Sequence, residues 1–333
     1  MLQRLGFLAL VLAVHADRAP LSDAIGTVIE GVAQTGFGYE HRRRAPTVSQ
    51  PMKVIGAGFG RTGTMSLVIA FRALGLHSYH MKEGVLETPG HLVAWGKDLV
   101  AAASGSLPSP PKEAAKILDM IAAAGFNATA DFPACLLVEE FMQRYPDALV
   151  VVSVRSDGAT WAASVLGTIA QMGPLLQEVP WRWITFSNHF VKLNDWIFSA
   201  IGAPVDETTR LPRHEDLATA HDNWIDRMKS TVPAHKLLIH QARDGWVPLC
   251  KHLSPLDVTV RARCDAILAS GEPYPHVNDT AELSRVISLF AAISLLTKAS
   301  PFVVVGLLLL CACWRKRATK QHAKQRRGND KSE

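Results

Sequence analysis

The chain has 333 residues, 48% of them hydrophobic, enough for one large domain or two small ones with a substantial core. Its net charge of +5 comes from the end: eight Lys/Arg and two Asp/Glu lie from Arg315 onward, and the body before them is close to neutral. A near-neutral body argues against nucleic acid as a partner, because that would need a basic face. The five cysteines (Cys135, Cys250, Cys264, Cys311, Cys313) are too few and too irregular for a disulfide framework or a zinc site. The thirteen histidines show no metal-protease spacing, and His214 and His221 read as solvated residues flanking a polar helix, so no metal is expected.

In chain order, "MLQRLGFLALVLAVHA" has Arg4, an apolar stretch and small residues placed for cleavage, the outline of a secretory signal. An unstructured leader is the alternative. Residues 17–51 carry "HRRRAP" without sustained periodicity and read as linker, so 1–51 stands apart from a domain spanning 52–285. That domain opens with the strand "KVIGAG" and the helix "TMSLVIAFRALG", with "LHSYH" as a second strand. "PPKEAAKILDMIAAAG" is a helix ending at Gly125, and "ACLLVEEFMQRYP" is another, stopped by Pro146. The apolar strand "ALVVVSVR" and the helix "TWAASVLGTIAQ" follow. Residues 173–198 hold three Trp and three Phe and suggest a helical insertion walling a pocket on the acceptor side. "HDNWIDRMKSTVP" is a helix and "KLLIHQA" a strand, while 253–273 has no clear pattern. Val/Ile/Leu-rich strands alternating with helices indicate an α/β fold, a parallel sheet flanked by helices, whose ligand lies at the carboxyl edge.

Residues 286–314 contain a single charge and precede "RKRATKQHAKQRR" in the 315–333 tail. A C-terminal transmembrane segment fits, since about 20 apolar residues cross a bilayer. One helix from Ala292 to Trp314 would cross once, and the basic cluster would place the tail in the cytosol. The domain would then be lumenal, in the secretory pathway or Golgi, where the sequons at Asn127 and Asn278 would become available. A hairpin about Pro301 would instead keep domain and tail together on the cytosolic face.

The loop "GAGFGRTGTMS" (56–66) admits three readings, all of which cradle an anion on backbone amides at a helix N-terminus. A triphosphate loop needs Lys then Ser/Thr after Gly63, where Thr64 and Met65 stand, and an acid where "LVVVSVR" ends in Arg155. An NAD(P)-binding Rossmann oxidoreductase or epimerase needs a second apolar strand ending in an acid, whereas "LHSYHMKE" is polar and Glu83 lies beyond His80 and Lys82. That is the runner-up.

The third reading explains most. "GAGFGRTGTMSL", "YHMKE", "DFPACLLVEEFMQRYPDALVVVSVR", "WAASV", "DGWVPLC" and "YPHVNDT", in this order from Met52 to Thr280, resemble the P-loop sulfotransferase family. The branch concerned has sometimes been labelled NAD-dependent epimerase. The resemblance implies a P-loop-type domain that transfers sulfate from 3′-phosphoadenosine 5′-phosphosulfate (PAPS) to a small-molecule or glycan hydroxyl or amine. It implies that Gly60, Thr62, Gly63 and Thr64 hold the donor's 5′ end and that Arg61 stands for the usual loop lysine. An arginine there keeps the charge but cannot give up a proton. Arg155 matches the family's 3′-phosphate ligand and Ser164 its hydroxyl partner, nine residues on rather than eight. Asp131, in the segment where classical members carry a histidine, and His80 are the two candidate bases. As a structural alternative, Asp131 would cap the helix that follows. A membrane-anchored nucleotide-binding protein without catalysis is a further alternative, permitted by the arginine at 61.

Overall fold

The computed structural model describes residues 51–300 except 87, 89, 101–110, 278, 279 and 282. The leader, the basic tail, the second half of the apolar segment and the sequon asparagine at 278 lie outside the described residues.

Five short parallel strands form one sheet in the order β2-β3-β1-β4-β5: β1 (Val54–Gly56), β2 (Ser78–Tyr79), β3 (Ala128–Thr129), β4 (Leu149–Ser153) and β5 (Leu237–His240). Val54 pairs with Ala128 on one side and with Leu149 on the other, so β1 is central. The apolar runs VIG and LVVVS have no polar face because both faces of the sheet are covered. Ile55, Val150 and Val152 enter a core with Phe59, Trp161 and Trp224, while Val54 and Val151 enter a second with Leu67, Phe71 and Leu249.

Helices follow each strand. α1 (Thr64–Ala73) leaves β1 through the glycine loop, and α2 (His91–Ala94) lies between two π-helical turns, Met81–Leu86 and Trp95–Leu99. α3 (Pro111–Ala123) leads to β3 through Gly125, whose φ is +81°. "ACLLVEEFMQRYP" is a 3₁₀ turn, Ala134–Leu137, that becomes α4 (Val138–Arg144). α5 (Gly158–Leu166) starts at Asp157, whose Oδ1 accepts from the Thr160 amide at 2.7 Å. α6 (Met172–Leu176) and α7 (Thr185–Ala200) make the expected insertion, and α8 (His214–Thr231) packs along α5. α9 (Trp246–Leu253) and α10 (Val258–Ser270) close the second core. α11 (Leu283–Ser300) is the one described helix long and apolar enough to cross a membrane.

Three features differ from the sequence reading. "FNATADFP" holds strand β3, whose two-residue ladder is too short to leave a periodic signal. Residues 253–273 contain the regular helix α10, capped by Asp257 and ended by Gly271 at φ +68°. Cys250 and Cys264 form a disulfide between α9 and α10, with Cα atoms 5.4 Å apart. Their separation of 14 residues has no motif, and only the α9–α10 turn brings them together.

The sequon at Asn127 leads into β3, inside the sheet between β2 and β1. Asn127 is 4% exposed, its Oδ1 accepts from the His77 amide at 2.7 Å, and Thr129 Oγ1 accepts from the Gly56 amide at 3.0 Å. The folded domain does not offer that asparagine to solvent.

Candidate functional site

Strand order reverses between β1 and β4, and the loop that leaves β1 lies at that crevice on the carboxyl edge. Two glycines let the loop press against its neighbours. A Cβ on Gly58 would lie 2.0 Å from Ser153 Oγ at the end of β4, and one on Gly60 would lie 2.5 Å from Asp131 Oδ1 beyond β3. At Gly58 the Ser153 backbone excludes any larger residue, and at Gly60 a side chain would have to displace the Asp131 carboxylate.

The loop's carbonyls are tied to the body of the domain. Trp224 Nε1 donates to Ala57 O at 2.8 Å, Trp161 Nε1 to Gly60 O at 2.8 Å, and Arg155 Nε to Arg61 O at 2.6 Å. Thr62 donates its hydroxyl to Phe59 O at 2.6 Å, so Ser153, 2.7 Å away, donates to Thr62. With these carbonyls engaged, no backbone–backbone hydrogen bond among the described residues takes up the amides of Gly60, Thr62, Gly63 or Thr64. Those amides and the N-terminal end of α1 form an anion cradle. Arg61 holds a left-handed conformation, φ +71°, and its Nη2 donates to Thr280 Oγ1 at 2.6 Å. Non-glycine residues adopt that conformation at a cost of order 1–3 kcal/mol, so the surrounding bonds must over-determine it.

His80 and Asp131 meet beside this cradle. His80 Nε2 is 3.0 Å from Asp131 Oδ2 and 3.1 Å from Thr64 Oγ1, and both residues are buried. His80 Nδ1 accepts from the Lys82 amide at 3.2 Å, so a neutral ring carries its proton on Nε2, toward the carboxylate. Asp131 does not cap a helix. Its backbone carbonyl accepts from Cys135 N at 3.1 Å, while the side chain turns back at φ +74° toward His80. Oδ1 also accepts from the Phe132 amide at 2.7 Å.

Behind His80 the phenol of Tyr79 accepts from Trp95 Nε1 at 2.8 Å and lies 3.2 Å from His91 Nδ1. Burial pushes the Tyr79 phenol up and lowers His91 to about 4, so a neutral His91 accepts the phenolic proton's hydrogen bond. This pins the π-helical segment, a backbone form common at functional sites, to the end of β2.

The structure thus brings Gly60, Arg61, Thr62, Gly63, Thr64, His80, Asp131 and Arg155 to one edge. Ser164 is half-buried on α5, three residues after Trp161. His221 is not solvated: it is 3% exposed, stacked on Trp161 at 5.6 Å, with Nδ1 2.8 Å from Asp222 Oδ1. His214 is exposed as expected. Sequence reading missed the bracing roles of Trp161, Trp224 and Ser153. The motifs "WAASV" and "YPHVNDT" contain Trp161 and Thr280, whose contacts with the loop arise only from the fold. The insertion is shared between two jobs: Leu193, Trp196 and Phe198 join the main core, while Trp181 and Ile184 pack with Phe290 and Ile293 of α11.

Residues 53–283 match the sulfotransferase domain family. A relative from Aspergillus versicolor, Ava biosynthesis cluster protein M, is 29% identical over 213 residues, covering 61% of this chain and 76% of its own.

Proposed function

The chain belongs to the sulfotransferase domain family, and from that premise we propose that it transfers a sulfuryl group from PAPS to a hydroxyl or amine of a small molecule. The observation that carries the reading is the His80–Asp131 pair, 3.0 Å apart, next to a loop whose Gly60 leaves no room for a Cβ beside Asp131. A phosphate cradle and a proton acceptor are thereby in contact. A small-molecule acceptor accords with the relative's description as a biosynthesis cluster protein.

The donor supplies an activated sulfuryl group; the chain binds, orients and manages charge. The amides of Gly60, Thr62, Gly63 and Thr64 and the end of α1 would hold the 5′ phosphosulfate, with Arg155 and Ser164 toward the 3′-phosphate. As the sulfur–oxygen bond to the leaving phosphate breaks, negative charge grows there, and the cradle with Arg61 is placed to stabilise it. Arg61 acts as a fixed cation, since a guanidinium does not release its proton. The acceptor's proton goes to Asp131. His80, anchored by the Lys82 amide, donates its Nε2 hydrogen to that carboxylate and keeps it aimed, and Thr64 lies within reach of both roles. The segment 81–99 and α7 would wall the acceptor side.

The signal-like start and the Cys250–Cys264 disulfide support a lumenal domain, since disulfides persist in oxidising compartments. Titration calorimetry tests the donor site. Adenosine 3′,5′-bisphosphate should bind and NADH should not. Binding of NADH alone would return the loop to the dinucleotide reading.

A further inference from the structure

α11 is turned inside out for a helix in water. The side facing the domain carries Ser294, which is 4% exposed, with Phe290, Ile293 and Thr297 half-buried beside it. The outward side carries Leu289, Leu295 and Leu296, which are 50%, 68% and 69% exposed. The docking is specific. Trp181 stacks on Phe290 with ring centroids 4.2 Å apart, and its Nε1 donates to Ser294 Oγ at 2.8 Å. Lys298 pairs with Glu178. Thr297 and Ser300 donate their hydroxyls back to the Ile293 and Thr297 carbonyls at 2.8 and 2.9 Å, and the exposed polar residues Arg285 and Ser288 lie toward the N-terminal half of the helix, before the leucines at 289, 295 and 296.

Burying one leucine is worth about 1.5–3 kcal/mol, so three outward leucines beside an inward serine forgo several kcal/mol in water. Single exposed leucines need no explanation, but three on one helix whose other side is docked through a buried serine do. We propose that the outward face of α11 lies against a lipid bilayer, with the helix in the plane of the membrane and not across it. The occupant follows from the chain beyond. Residues 301–314 are uncharged and apolar, and seven Lys/Arg lie between Arg315 and Arg327, a sequence suited to a bilayer and its headgroups. The orientation follows from the docking. If 283–300 crossed the hydrocarbon, Phe290 and Ser294 near its middle would draw the docked Trp181 and its exposed neighbour Arg182 in with them, at a cost of roughly 2.5–3.5 kcal/mol for a charge near the centre. In-plane docking keeps the Lys298–Glu178 pair at headgroup level, where the 56%-exposed Trp183 also belongs. This inference does not depend on the reaction proposed above.

The test uses the full chain in phosphatidylcholine liposomes with Cys311→Ser and Cys313→Ser, leaving the disulfide intact and Cys135 buried. Leu289→Cys and Leu296→Cys are labelled singly with an environment-sensitive fluorophore and quenched by lipids brominated at shallow or deep acyl positions. Both probes should be quenched most by the shallow bromines and report the same depth. Seven residues on an upright helix span about 10 Å, so a depth difference of that size would overturn the in-plane orientation. Probes untouched by either lipid, whether in water or against a second copy of the chain, would overturn the lipid contact.

Discussion

Arg155 donates its ε N–H to the carbonyl oxygen of Arg61 at 2.6 Å, so the cation that follows β4 also braces the loop residue standing at φ +71°. At the proposed donor site, donor binding and loop geometry would therefore share one side chain. The left-handed turn at Arg61 is held from two sides, by Arg155 on its carbonyl and by Thr280 on its guanidinium. A cation at the end of the strand that lies beside the loop is what a 3′-phosphate requires and what a magnesium-dependent NTPase would avoid.

The first prediction concerns that residue. A charge-assisted hydrogen bond contributes about 1.5–3 kcal/mol, so Arg155→Ala should weaken binding of adenosine 3′,5′-bisphosphate roughly ten- to hundredfold. Adenosine 5′-monophosphate, which lacks the 3′-phosphate, should lose less, and what it does lose reports the brace on Arg61. Calorimetry with both nucleotides separates the two roles. Equal affinity of wild type and variant for the bisphosphate would remove Arg155 from the site.

The second concerns the proton. Asn tolerates the left-handed backbone that Asp131 adopts, so Asp131→Asn should fold normally. It should lower turnover by about 10²–10⁴, the usual contribution of a positioned base, with nucleotide affinity near wild type. In the proposed arrangement, where His80 holds the carboxylate, His80→Ala should cost less, and the double variant should be no slower than Asp131→Asn. A harmless Asp131→Asn beside a crippled His80→Ala would exchange the two roles.

What could be read from the sequence has a physical pattern. β1, β4 and their following helices announced themselves through apolar runs and glycine punctuation, and the loop through its density of glycines. Local rules were enough there. β3 did not show, because two ladder residues carry no periodicity, yet it is what delivers Asp131 to His80. His221 looked solvated because its own helix is polar; only Trp161, contributed by another helix, makes it buried. The disulfide depends on how two helices turn between residues 253 and 258. Local chemistry was legible, and contacts between distant elements were not.

The third prediction is a pH dependence of stability. Burial holds His91 at about 4, below its ordinary value near 6.5, so between these values the unfolded chain binds a proton that the folded chain does not. This group costs no stability above about pH 6.5, and stability falls as pH drops from there toward 4. Burial also lowers His240 and His252, which adds to the same trend. Urea denaturation at several pH values should show the decline, and His91→Gln should flatten it. An equal slope in that variant would mean that His91 is free to protonate in the folded domain.

The last prediction joins stability to compartment. Cys250 and Cys264 are 1% and 0% exposed and close a loop of 14 residues between α9 and α10, against the core that carries β1 and α1. Closing a loop of about 15 residues is worth roughly 3 kcal/mol, mostly by restricting the unfolded chain. Reduction of the purified protein should therefore lower its unfolding free energy by about that amount, read as a shift in the denaturation midpoint at unchanged slope. Since both sulfurs are buried, the reduced form should still fold. In cells, a lumenal domain would carry the bond oxidised, so denaturation in a thiol-alkylating reagent without reductant should leave Cys250 and Cys264 unmodified. Full alkylation of both in freshly lysed cells would place the domain on the reducing, cytosolic side and leave the signal-like start as a leader only.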